Sequence, residues 1–61
     1  MKSPFIEFSV DRKNILINVN EIVSVKEYEY HCTVITTSDK KSYYVNSTYH
    51  DVIDAIKKHY Q

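Results

Sequence analysis

The feature that most constrains this chain is the stretch from Ile15 to Val45, where β-branched and aromatic residues crowd into short runs separated by polar clusters. Runs of four to eight such residues bounded by Asn, Asp and Ser clusters are the pattern of strands joined by turns. The stretch therefore predicts a sheet meander, and the residues after Asn46-Ser47-Thr48 predict a single helix that closes it. The chain has no glycine and one proline, whereas disordered linkers are rich in both and poor in aromatics. Six tyrosines among 61 residues fit half-buried or subunit-facing positions, because tyrosine combines a large apolar face with a polar tip.

In chain order, Phe5 to Val10 alternates, with Ile6, Phe8 and Val10 on one side and Glu7 and Ser9 on the other. Pro4 stands at its start, where a missing amide donor does little harm. Asp11-Arg12-Lys13-Asn14 reads as a four-residue hairpin connection, and Ile15 to Asn18 as a second strand with Ile15 and Ile17 inward. Val19-Asn20-Glu21-Ile22 breaks the alternation as a turn or one helical turn. Strand three is expected over Val23 to Tyr28, with Val23 and Val25 inward, followed by a connection at Glu29-Tyr30-His31. Strand four, Cys32 to Thr37, carries Val34 and Ile35 side by side. One helix covers one face of a sheet, so this pair predicts that the second face meets another subunit. Ser38 to Lys41 is a polar turn, and Ser42 to Asn46 a fifth strand with Tyr43 and Val45 on one face and Tyr44 on the other. Thr48, with Asp51 three residues on, has the spacing of a capping box, and Ser47 is the competing cap. Tyr49, Val52, Ile53, Ile56 and Tyr60 then share one helical face, with Lys57, Lys58 and His59 in the last turn, where positive charge suits the helix dipole. The fold class is α+β: one domain over residues 1–61, a five-stranded antiparallel meander sheet with one C-terminal helix packed on one face.

The run Ile15-Leu16-Ile17-Asn18, then Ile22, Val25 and Glu27, then Thr33-Val34-Ile35-Thr36, Lys41, Tyr44 and Val45, then Thr48 with Asp51-Val52-Ile53 and Ile56 resembles the small flagellar FlbD/SwrD-like proteins. Where that family has Asn-Gly or Asp-Gly hairpin tips, this chain has Arg12-Lys13-Asn14 and Asp39-Lys40-Lys41. The resemblance implies a small bacterial or phage-encoded regulatory protein. The strand and helix pattern is also similar to the front half of the LytTR DNA-binding domain, which implies DNA binding. The segment carrying much of that family's DNA contact has no counterpart before Gln61.

Eight acidic and eight basic residues give zero net charge. A protein that neutralises duplex phosphates usually carries a positive excess, so duplex DNA is not an expected partner. No stretch has the length of a membrane span. Met1 to Pro4 leads directly into a strand-like run without the apolar segment of a secretory signal. The expected address is the cytoplasm, where a lone thiol stays reduced. A domain of this size buries only about 60% of the surface its unfolded chain exposes, and such chains usually need a disulfide, a metal or a partner subunit. Cys32 is the single cysteine, so a homo-oligomer is the expected staple.

No motif marks an enzyme. GxSxG, HExxH, CxxC and glycine-rich phosphate loops are all missing. Cys32 beside His31 suggests a thiolate and imidazole, but neighbours along a strand point to opposite faces. His50 and His59 are too far apart for a stable metal pair, and no metal, cofactor or catalytic residue is expected. The candidate binding residues are Tyr28, Tyr30, Tyr43 and Tyr44, whose rings can pack against a protein or stack on a base, and Arg12, Lys13, Lys40 and Lys41 at two hairpin tips. In a meander these tips point to opposite ends, so only two subunits can bring them together. The leading expectation is a non-enzymatic interaction or regulatory protein acting as a homo-oligomer with a protein partner. The alternative is a phage-type anti-defence protein that sequesters a cyclic nucleotide at a subunit interface, with tyrosines on the base and lysines on phosphate. LytTR-like DNA binding is a second alternative.

Overall fold

A computed structural model describes residues 3–60. The single-domain reading extends over Met1, Lys2 and Gln61, which lie outside the described residues. Five antiparallel strands and one C-terminal helix follow in the expected order. The strands are β1 (Phe5–Val10), β2 (Lys13–Asn18), β3 (Ile22–Glu29), β4 (Cys32–Thr37) and β5 (Ser42–Val45). The helix, α1, runs Tyr49–His59, and a single 3-10 turn at Val19–Glu21 joins β2 to β3.

The strands do not form one continuous sheet. They divide into a β1–β2 ladder and a β3–β4–β5 ladder. The division falls at Val19–Glu21, where Asn18 accepts a hydrogen bond from the Asn20 N–H through its side-chain oxygen, 2.9 Å, and turns the chain into the helical turn. Val19 is buried there, and its N–H donates to the Pro4 carbonyl, 2.8 Å. That geometry directs β3 away from β2. The ladders instead approach along β1 and β5, where the Asn46 N–H donates to the Ser9 carbonyl, 2.8 Å. The helix lies on β1, β3 and β4 and so touches both ladders.

Between them is one core. Phe8 and Ile17 come from the first ladder, Ile35 and Val45 from the second, and Val52 from the helix. Ile6, Val10, Ile15, Ile22, Val25, Tyr43 and Ile56 pack around this centre. The radius of gyration, 10.7 Å, is close to the roughly 10.5 Å expected of a compact chain of this length. β4 runs through the middle of its sheet, and its inward residues Thr33, Ile35 and Thr37 are all buried. Thr33 satisfies its hydroxyl by donating to the Ser47 carbonyl, 2.9 Å. At the start of α1, Thr48 caps as its sequence predicts, accepting from the Asp51 N–H at 3.1 Å.

Several local readings change. The first hairpin connection has two residues, not four: Val10 pairs with Lys13, and β2 begins at Lys13 instead of Ile15. Asp11 and Arg12 have φ of 52° and 67°, the two positive values of a type I′ turn, which matches the right-handed twist of the flanking strands. β3 extends from Ile22 to Glu29, one residue further than read at each end, and its register shifts between Ile22 and Ser24. That bulge leaves Val23 without an inward position; it is 67% exposed, where alternation placed it in the core. A second shift, between Glu27 and Glu29, leaves Tyr28 as the extra residue. β5 ends at Val45, because the Asn46 N–H serves the contact with β1. On the helix, Val52 is buried, but Tyr49 and Tyr60 at the two ends of the predicted apolar face are exposed.

Candidate functional site

The two faces of β4 lead to different surfaces. Val34 pairs with Lys26 on one side and Tyr44 on the other, so Lys26, Val34 and Tyr44 form one row on the face away from the core. Tyr28 joins them: its ring meets that of Tyr44 edge to face, with centroids 5.2 Å apart. β3 and β5 are separated by β4, hence by about 9.6 Å at the usual spacing of neighbouring strands. The rings therefore reach toward each other over β4. Val34 and Cys32, on the same face of β4, are half-buried. The second face of the sheet is thus partly covered by its own tyrosines. The rings keep much of their surface in water, with Tyr28 59% and Tyr44 48% exposed.

The remaining candidates are dispersed. Tyr30 and His31 form the β3–β4 tip. Tyr30 is 82% exposed, and its ring lies 3.9 Å, centroid to centroid, from that of His31. His31 has φ of 62°, a left-handed conformation uncommon for a residue other than glycine. Tyr43, paired with Ile35, is half-buried against the core, on the opposite face from Tyr44. Arg12 and Lys13 lie at the β1–β2 tip. Lys40 and Lys41 lie near the other end, because the Ser38 N–H donates to the Glu21 carbonyl, 2.8 Å, just beyond the far end of β2. The two basic tips are separated by the length of β2, about 20 Å for six residues.

Each basic tip also contains an acid: Asp11 beside Arg12, and Asp39 beside Lys40 and Lys41. The second is organised by local hydrogen bonds. The Thr37 hydroxyl and the Lys41 N–H, the latter at 3.3 Å, both donate to Asp39 Oδ1. The Lys40 N–H donates to the Thr37 carbonyl at 2.9 Å. The Thr37 bond in particular holds the Asp39 carboxyl below its ordinary range, against the opposing effect of desolvation, with the Lys41 amide and charge assisting. With one carboxylate against two lysines the tip keeps a net charge of +1, less than its two lysines suggest.

Among the described residues there is no cavity, and no cluster of three His, Cys, Asp or Glu side chains arranged to hold a metal. Among the described residues no buried side-chain nitrogen or oxygen lacks a hydrogen-bond partner. His50 pairs with Asp54 at 3.3 Å on the exposed side of α1. No helix among the described residues is long and apolar enough to cross a membrane. Neither a protein family nor a curated protein nor a solved structure matches this chain. The surface that assembles candidate residues from more than one strand is the Lys26–Val34–Tyr44 row with Tyr28. Sequence reasoning named both tyrosines but omitted Lys26; its alternation with Ser24 on the outward side of strand three was the available signal.

Proposed function

We propose that the protein is a small non-enzymatic interaction or regulatory protein that works by surface binding as a homo-oligomer. The observation that carries this reading is the Tyr28–Tyr44 pair, two exposed rings held in fixed relation over Val34 with Lys26 beside them. Rigid aromatic side chains supply large contact area at little conformational cost, and tyrosine is enriched in the anchoring positions of protein interfaces. A strand face of this kind suits a protein partner with a complementary apolar and acidic surface. The reading keeps the class implied by the FlbD/SwrD-like resemblance, a cytoplasmic regulator of bacterial or phage origin.

A cyclic nucleotide is the second reading, favoured by one observation: an amine and an exposed ring, Lys26 and Tyr44, flank the same residue on one face. Stacking on such a ring is worth about 1–3 kcal/mol per base.

Affinity capture with the wild type beside Tyr44→Ala separates these readings. A discrete protein retained by the wild type and lost with Tyr44→Ala supports the adaptor. Identical capture by both proteins overturns it. A rise in melting temperature with a cyclic-nucleotide panel, absent in Tyr44→Ala, supports the second reading instead.

A further inference from the structure

The two ladders treat their outer edges differently. The free edge of β3 is interrupted by bulges at Val23 and Tyr28 and carries Lys26, Glu27 and Glu29. Bulges and charges are the usual devices that stop an edge strand from pairing with another chain. β2 has neither defence. Its register with β1 is unbroken over all six residues, and its one charge, Lys13, stands at the turn. No backbone hydrogen bond from another part of the described residues reaches its second edge. Leu16 lies in the middle of the strand, on the outer face, 64% exposed, with the exposed Phe5 on the same face.

We propose that β2 pairs antiparallel with the β2 of a second copy, in the register centred on Leu16. The proposal rests on the homo-oligomer reading above and supplies its contact surface. Residues opposite each other in an antiparallel pair share a face, so a two-fold axis at Leu16 sets Leu16 against the second copy's Leu16 on the outer side. Ile15 then faces the second copy's Ile17 on the core side, and Asn14 faces its Asn18. Like meets like in each pair, and no charge opposes a like charge. Centring on Leu16 leaves only Lys13 without a partner in β2, whereas centring on Ile15 puts Lys13 against Ile17 and Asn14 against Leu16, and centring on Ile17 puts Leu16 against Asn18 and leaves Lys13, Asn14 and Ile15 unpaired. The sequence of β2 is self-complementary in one register. Pairing converts two marginal two-stranded ladders into one four-stranded sheet. A six-residue edge buries less than the roughly 1,200–2,000 Å² of a standard interface, so the dimer dissociates on dilution.

Because the axis passes through Leu16, charge at that position is self-opposing, and this gives the test. Sedimentation velocity over a concentration series is run on the wild type, Leu16→Lys, Leu16→Glu, their equimolar mixture, and Tyr44→Ala. Circular dichroism checks that each is folded, and Leu16→Thr serves as an uncharged, strand-compatible variant. The wild type doubles in mass as concentration rises. Each charged variant dimerises about tenfold or more weakly alone, the mixture recovers the dimer, and Leu16→Thr falls between. Tyr44→Ala dimerises like the wild type. Unchanged dimerisation of both charged variants, or a mixture that stays monomeric, overturns the β2 contact. If Tyr44→Ala alone abolishes dimerisation, the contact lies on the other ladder and the homo-oligomer reading stands without this proposal. A wild type that remains monomeric throughout removes both.

Discussion

The β1–β2 ladder and the β3–β4–β5 sheet use a similar set of β-branched and aromatic residues but solve the problem of the wet face in different ways. The three-stranded sheet bends β3 with two bulges and lets Tyr28 and Tyr44 meet over β4, so that much of the cover for Val34 comes from the same chain. The two-stranded ladder is regular and leaves Phe5 and Leu16 in water. Regularity here has a consequence: a strand that pairs without interruption on one edge offers an equally uninterrupted second edge. The bulges of β3 interrupt its outer edge, and nothing interrupts that of β2.

The contrast is sharpened most strongly in the core. Ile35 stands in the central strand with neighbours on both sides and is fully buried. Ile35→Ala is expected to cost about 3–4 kcal/mol, a large part of the roughly 3–9 kcal/mol available to a chain of this length. Ile17→Ala, in a strand with a neighbour on one side only and 4% exposed, is expected to cost about 2 kcal/mol. Urea titration followed by circular dichroism checks the order; equal losses would show that a neighbour on both sides of β4 adds nothing to the cost of a void there.

Next in size is the tyrosine cover. A double-mutant cycle of Tyr28→Leu and Tyr44→Leu should give a coupling of about 0.5–1.5 kcal/mol in favour of the pair. Zero coupling would mean that the rings do not support each other and that Val34 is shielded by something else. The hairpin tips come third. Arg12→Gly relieves a left-handed backbone at a turn whose geometry suits Asp-Gly, and should stabilise by about 0.5–1 kcal/mol. This corresponds to a rise of several degrees in melting temperature. A fall instead would show that the Arg12 side chain contributes more than its backbone costs.

The smallest effect concerns acid. Asp39 is held below its ordinary value of 3.8, so the folded state gains from its ionised form above that pH and loses the gain as pH falls through the lower folded value. The wild type should therefore lose stability on the acid side faster than Asp39→Asn, with the two curves running parallel at neutral pH. Parallel curves throughout would show that the Thr37 bond does not favour the ionised form.

Elements were more legible in the sequence than their pairing. Alternation located each strand, and Thr48 with Asp51 located the start of the helix, because both signals depend on neighbouring residues. Val23 was misplaced because a bulge is an event between strands, and nothing in Ile22-Val23-Ser24 states which residue its partner will skip. The Asp11–Arg12 turn was hidden because type I′ turns are usually announced by glycine. The separation into two ladders follows from the Asn18 cap and the burial of Val19, which a polar-looking Val19-Asn20-Glu21 does not announce. At the candidate surface, each tyrosine was identifiable as a candidate, but the reach of Tyr28 across a strand to Tyr44 depends on strand order.

The bond from the Thr33 hydroxyl to the Ser47 carbonyl has a consequence for how the molecule opens. It fastens the centre of the sheet to the peptide just ahead of the helix, and Thr33 has no contact with solvent. Lifting α1 away would strand that hydroxyl until water reached the middle of β4. Helix and central strand should then come apart in a single step, with their slowest amide protons exchanging at one common rate.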